Sequence, residues 1–423
     1  MRPFSAPSRA ALLPPLVVPA LAVCFLCQAG GAARAAELRA IGHQEFLDRV
    51  EKTDPRLQAL AARIEAARAE VAGARVLANP SLAYDREEVF LSGKGAADNF
   101  LRLSVPFEVS GRRAMRIQAA EVGVRAAESD AKLERFLLTV EALDFYGRAA
   151  FAREWAESLR QGRDGLARLV AGARARAQAG EASGYDLGRL EIELGSHESL
   201  VADEEKVLAV ARRSLAYLVG DASALLDVAE PVSIPPTPPA CETLTRTALD
   251  SRGDYQAARQ RSEQAELELD AGRRGWVPGL SLTGGLRTSA VSDQTAVGYV
   301  AGLAVSLPVL DHGQAERARA EARKQEAQAH LRILERQVMA SVMNACDALT
   351  RSIEDAARFE AQLPRLGELL RRAEAAYQEG ERPVFELLDA FRTAREVRLR
   401  SLELKREARR SELELWRALG RRP

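Results

Sequence analysis

Two distant stretches of the chain follow one plan, and that duplication constrains the fold more than any other feature. Residues 54–82, DPRLQALAARIEAARAEVAGARVLANPSL, align with residues 252–280, RGDYQAARQRSEQAELELDAGRRGWVPGL, at a shift of 198 positions. Leu57 falls on Tyr255, Ala59 on Ala257 and Pro80 on Pro278. Further on, Pro106 matches Pro308 and Gly111 matches Gly313, then Gly180 matches Gly380, and LAYLVG (215–220) matches LWRALG (415–420). The shift drifts only between 198 and 202. The chain therefore divides into residues 37–220, a proline-rich linker at 221–240, and residues 241–423. The linker DVAEPVSIPPTPPACE cannot be helical, because its prolines lack the amide hydrogen and clash with the preceding turn.

Each half begins with a helix of about 35 residues, continues through two strand-like segments, and enters a very long helix. A glycine turn and a medium helix follow. No proline occurs from Phe107 to Glu230. Residues 112–178 can run as one helix of 67 residues, about 100 Å at 1.5 Å per residue. The equivalent helix of the second half spans about 314–378, with a local kink expected at Pro364. The content, rich in Ala, Arg, Glu and Leu, suits long packed, coiled-coil-like helices.

The strand segments lie at about 81–90, 99–107, 279–288 and 298–308. In NFLRLSVPF, Leu101, Leu103, Val105 and Phe107 alternate with Arg102 and Ser104. In GLSLTGGLR, Leu280, Leu282 and Leu286 alternate with Ser281, Thr283 and Arg287. In YVAGLAVSL, Tyr299, Leu303, Val305 and Leu307 share one face, and Gly302, Ala304 and Ser306 the other. One apolar face and one small or polar face suit a barrel with lipid outside and water inside. Four strands cannot close such a barrel, and open edges are not tolerated in lipid, so several chains would share one. Tyr84, Phe90, Phe100, Phe107, Trp276 and Tyr299 flank the strands where interfacial aromatic girdles belong.

The first 36 residues have the pattern of a cleaved secretory signal: Arg2 and Arg9, an apolar stretch from Ala10 to Cys27, and A-R-A at Ala33–Ala35. Neither Cys24, after Val23, nor Cys27, after Leu26, has the small preceding residue that lipidation needs. Cys241 and Cys346 stand isolated and do not form a disulfide framework. The chain carries 60 basic and 60 acidic residues; without Arg2, Arg9 and Arg34 the balance is 57 against 60. That excludes a nucleic-acid footprint. Charges interrupt every later apolar run, so no spanning helix is expected. No catalytic constellation is present, and the histidines His43, His197, His312 and His330 are scattered without ligand spacing. The chain is expected to be no enzyme, with neither cofactor nor resident metal.

In the order and spacing of these features the chain resembles the outer-membrane efflux proteins of the TolC family over nearly its whole length. The entries ANPSLAY and VPGLSLTG, the exits SVPFEVSGRR and SLPVLDHGQAERARAEA, and the turns at Gly180 and Gly380 carry the likeness. ANPSLAYDREEVFLSGKG with LRLSVPFEVSGRRAMR is most similar to the CzcC- and CusC-type heavy-metal branch.

The resemblance implies a mainly helical fold with a membrane β-barrel portion. A homotrimer would close twelve strands in outer-membrane lipid and extend a helical barrel into the periplasm of a Gram-negative bacterium. It implies a passive duct for heavy-metal cations, served by a periplasmic adaptor and an inner-membrane RND pump. A channel for drugs or organic compounds is the alternative, and a soluble periplasmic scaffold a further one. The joins would be Pro106 with Gly111 and Pro308 with Gly313, the prolines ending the strand ladder and the glycines allowing the bend. The periplasmic tip, gate and adaptor contact would comprise Gly180, Glu181, Ser183 and Asp186 with Gly380, Glu381, Pro383 and Glu386. Repeated threefold, acidic side chains there, Glu379 included, would form a cation-favouring ring.

Overall fold

The computed structural model describes residues 38–91, 94–180, 183–291 and 294–422. The expected signal segment, with Cys24 and Cys27, and the tip residue Glu181 lie outside these residues. The first half contains β1 (Arg39–Ile41), α1 (His43–Thr53), α2 (Pro55–Arg75), β2 (Ser81–Leu91), β3 (Lys94–Phe107), α3 (Arg112–Gln178) and α4 (Gly184–Leu218). Then come β4 (Leu226–Val228), α5 (Cys241–Ser251), α6 (Gly253–Arg273), β5 (Gly279–Val291), β6 (Gln294–Ser306), α7 (Gln314–Glu360), α8 (Leu363–Gln378) and α9 (Val384–Leu419). Among the described residues no helix is long and apolar enough to cross a membrane.

The opening helix of each half, expected as one piece, is two. Asp54 caps α2 by accepting from the Arg56 amide at 2.9 Å, and Pro55 follows at the first helical position, where its missing N–H costs nothing. The second half breaks at Arg252, so α5 and α6 repeat the 11 and 21 residues of α1 and α2. The helix expected over 314–378 is also divided, because α7 ends at Glu360 and α8 starts at Leu363. Pro364 removes an amide donor and crowds the carbonyl four residues back, which is Glu360, and a proline fits only in the first turn of a new helix. The helix α3 has no such residue and runs unbroken for 67 residues.

Burial explains how the helices hold one another. Only a stripe of each is covered, and on α3 that stripe is rich in small residues, including Ala119, Ala126, Ala149, Ala156 and Ala173. Small side chains let backbones approach closely. At Gly253 an added Cβ would lie 2.2 Å from the Ser129 carbonyl oxygen, so α6 enters against α3 with no room for a methyl group.

Two features join distant parts of the chain. First, β1 pairs with β4 in parallel, Ile41 opposite Val228. Beneath them the Tyr146 hydroxyl lies 2.9 Å from the Ile41 carbonyl oxygen and contacts the Glu230 carboxylate. Burial, reinforced by Glu230, pushes the Tyr146 phenol up to about 12. Burial would raise the Glu230 carboxyl, but hydrogen bonds from Tyr146 and His43 outweigh it and hold the carboxyl below its usual range. Second, Cys241 and Cys346 are joined by a disulfide, correcting the expectation that they stand apart. Packing α5 on α7 brings their Cα atoms to 5.9 Å, although 105 positions separate them in sequence.

Candidate functional site

Three places follow from the fold: the sheet, its joins to the helices, and the hairpin tips. The sheet has strand order β2-β3-β5-β6 and is antiparallel throughout. Its register assigns each side chain to a face, because successive residues of a strand point oppositely. On one face lie Leu82 and Tyr84 of β2, Leu101, Leu103, Val105 and Phe107 of β3, Leu282 and Leu286 of β5, and Tyr299 and Leu303 of β6. Most stand exposed, Tyr299 at 87%. The same face carries the Arg86–Glu88 ion pair toward the β2–β3 turn, but an apolar sheet face otherwise this extensive and bare is unstable against water. The other face carries Asp85, Asp98, Arg102, Ser104, Thr283 and Arg287. Strands β2 and β6 are edges whose outer sides have no partner strand among the described residues.

Phe100 was expected among the girdle aromatics, but the register places it on the polar face. There it sits opposite Asp85 and Arg287, beneath the guanidinium groups of Arg102 and Arg287. The other five aromatics are exposed or half-exposed on the opposite face or at the join, Trp276 among them.

At the joins, Gly111 (φ 73°) and Gly313 (φ 81°) occupy the N-cap positions of α3 and α7 in the left-handed region, which glycine enters without a side-chain penalty. Pro308 lies two residues beyond the end of β6. Pro106 does not end the ladder, contrary to expectation: it pairs with Ser281, and β3 continues to Phe107. By then β2 has ended opposite Ser104, so β3 has a neighbour on one side only, and an edge position tolerates a residue without N–H.

The two hairpin tips meet in one core. Leu166, Leu169 and Val170 of α3, Leu190 of α4, Tyr377 of α8, and Val384, Leu387 and Phe391 of α9 pack together. Gly180 (φ 79°) and Gly380 (φ 77°) reverse the chain at each tip. Ser183 caps α4, accepting from the Tyr185 amide at 3.2 Å. Asp186 lies in the first turn of that helix, where the dipole favours a negative charge. The Glu381 amide donates to the Ala376 carbonyl at 2.9 Å, and Pro383 starts α9 from an extended conformation. Glu379 closes α8, its amide donating to Ala375.

The acidic residues are not alone at this end. Arg382 lies 3.3 Å from Glu386. The Arg176 guanidinium stacks 4.9 Å over the Tyr377 ring and donates to the Gln378 carbonyl at 3.3 Å, tying the first hairpin to the second. Burial raises the Tyr377 phenol, and the charge of Asp186 raises it further against the opposing Arg176.

Sequence reasoning missed the tie just behind the tips. The Glu193 carboxylate of α4, 7% exposed, accepts from Arg392 of α9 at 2.5 Å. The Arg392 hydrogen bond holds that carboxyl below its usual range despite burial. His197, one turn along α4 and 1% exposed, has its Nδ1 3.9 Å from Glu193 and its ring against Gly162 of α3. Burial, reinforced by Arg395, lowers its pKa. The spacing of Glu193 and His197 placed them on one face of α4, but nothing local pointed to Arg392. Among the described residues no three or more His, Cys, Asp or Glu side chains gather as a metal site.

Comparison with known proteins adds to this geometry. Residues 244–421 match the family described as outer membrane efflux protein. The chain is homologous to the nickel-cobalt-cadmium resistance protein NccC of Alcaligenes xylosoxydans xylosoxydans, 25% identical over 70% of this chain and 67% of the relative. It is likewise homologous to the cobalt-zinc-cadmium resistance protein CzcC of Cupriavidus metallidurans, 24% identical over 86% of each. Solved structures share the fold: CusC at TM-score 0.72, with 19% identity over 90% of this chain and 92% of that one. The outer membrane protein VceC of Vibrio cholerae aligns at TM-score 0.71, with 20% identity over 90% and 96%.

Proposed function

We propose that this chain, a TolC-type outer-membrane efflux protein, is the outer-membrane channel of a tripartite export system and conducts heavy-metal cations passively out of the cell. The observation that carries the reading is the four-stranded sheet with one bare apolar face, one polar face and two unpaired edges. In lipid an open edge leaves backbone donors and acceptors unsatisfied at several kcal/mol each, so only a closed barrel is stable there. Three copies supply twelve strands, β2 of one pairing with β6 of the next, whereas a single copy falls short of the eight strands of the smallest membrane barrels. The polar faces then line the lumen. Helices α3 and α7 leave the barrel through Gly111 and Gly313 and continue the duct into the periplasm.

The chain performs no chemistry; it is a path, and the driving energy comes from an inner-membrane RND pump. The tips, with Gly180, Glu181, Ser183, Asp186, Gly380, Glu381, Pro383 and Glu386, meet the periplasmic adaptor and form the gate. The cargo follows the relatives, which are named for resistance to nickel, cobalt, cadmium and zinc.

The test is deletion of the gene with complementation, scored against a panel of metals and a panel of dyes, detergents and antibiotics. Lost tolerance to nickel, cobalt, zinc or cadmium, restored by the gene, is expected. Loss confined to organic compounds would refute the cargo but keep the duct. Material that stays soluble on fractionation and runs as a monomer would refute the duct itself.

A further inference from the structure

The polar face of the sheet carries a charge arrangement that the duct reading alone does not require. Asp85 of β2, Phe100 of β3 and Arg287 of β5 form one rung across three strands. Arg102 stands two residues along β3 from Phe100 on one side and Asp98 two residues along on the other, all on the same face. Both guanidinium groups lie over the Phe100 ring, each carbon 5.4 Å from its centre, within the range of a cation–π attraction. Each also has its own carboxylate. Arg102 donates to Asp85 Oδ2 from Nε at 3.1 Å and from Nη2 at 2.6 Å. Arg287 donates from Nη2 to Asp98 Oδ2 at 2.6 Å. Both arginines are thus drawn back onto the wall. Glu87, on the same face and opposite Asp98, has no ion-pair partner among the described residues.

We propose that Asp85, Phe100 and Asp98 form a clamp that neutralises Arg102 and Arg287, so that the barrel lumen, and not only the tips, discriminates in favour of cations. The inference rests on the duct reading, which makes this face the lumen. Among the side chains described on it, the charged ones are Asp85, Glu87, Asp98, Arg102 and Arg287. The described side chains thus hold three acids against two arginines, an excess of one acid per chain. Without the clamp, the same face would present an arginine ring to the cargo. Phe100 acts through the arginines as a positioning residue, whereas the carboxylates set the sign of the charge the passing ion meets.

The experiment is ion selectivity of the assembled channel in planar bilayers, measured with potassium chloride gradients. It compares low salt, about 0.01 M, where the Debye length is about 30 Å, with about 1 M, where it is about 3 Å. D85N/D98N removes two negative charges per chain from this face and leaves every tip residue in place. We expect a severalfold fall in the potassium-to-chloride permeability ratio at low salt and little difference at high salt. R102Q/R287Q removes two positive charges per chain and should raise the ratio; it carries the test if D85N/D98N does not assemble. Channels of normal conductance whose ratio at low salt is unchanged in both variants would overturn the clamp while leaving the duct intact. A wild-type protein that forms no channel would overturn the duct, and this inference with it.

Discussion

Replacing Arg392 by Gln should loosen the seam between α4 and α9 far more than replacing its partner Glu193 by Gln. The asymmetry follows from burial: the side chain of Glu193 is 9% exposed and that of Arg392 is 50% exposed. R392Q leaves a carboxylate in the interior without its principal donor, and removing one member of a buried pair costs about 3–5 kcal/mol. Half-exposure of the lost group, and Arg395 nearby, put the expected cost near the lower end, about 3 kcal/mol. E193Q leaves a neutral acceptor in the same place, and the surviving Arg392 can reach water, so about 1 kcal/mol is expected. The double variant should recover most of the difference, because neither charge remains to be stranded. The assay is amide hydrogen exchange of α4 around residue 193 and α9 around residue 392 in the assembled protein, where local opening free energies can be read directly. At 1.36 kcal/mol per tenfold, R392Q should speed exchange there by about 100-fold and E193Q by less than about tenfold. Equal acceleration by the two single variants, or a double variant as fast as their product, would refute the reasoning.

The same seam should weaken on acidification. The His197 pKa is lowered in the folded protein from its ordinary 6.5, so folding favours the neutral ring. Its contribution is present above about pH 6.5 and lost as pH falls through the folded pKa; Glu193, lowered from 4.5, adds a loss of the same sign at lower pH. Hydrogen exchange at the seam should rise as pH falls below 6.5, after correction for the intrinsic rate, and the rise between pH 6.5 and 5 should vanish in H197Q. Reducing the Cys241–Cys346 disulfide should destabilise the protein. Across 105 positions the chain-entropy ceiling is about 4.8 kcal/mol, and an unchanged denaturation midpoint after complete thiol labelling would contradict it. G253A should force α6 away from α3 at Ser129 and cost about 1–3 kcal/mol as overpacking; a thermal transition equal to wild type would show that the contact yields without cost.

Much of the architecture was legible because its signals are local. Leu101, Leu103 and Val105 alternating with Arg102 and Ser104 are enough to define two sheet faces, since the period of a strand is two. Absence of proline is enough to permit α3, and Pro364 is enough to interrupt its counterpart, where the expected kink proves to be a division between Glu360 and Leu363. Gly111 and Gly313 in the left-handed region are equally local. The tip residues were legible as turns, but Arg382 beside Glu386 and Arg176 on Tyr377 changed the electrostatics that acidic residues alone suggested.

What the sequence by itself determined is therefore the repeated plan: which segments are strands, which are helices, and which strand face is largely apolar. Those properties depend on backbone sterics and on the spacing of apolar residues within a few positions. What only the tertiary structure decided is which distant side chains meet. Cys241 finds Cys346, Glu193 finds Arg392, and Phe100 gathers Arg102 and Arg287. Each depends on how helices pack or strands register, and a shift of one residue in a strand would turn Phe100 to the apolar face. Contacts of that kind are set by the summed packing of whole elements, and no short stretch of residues records that sum.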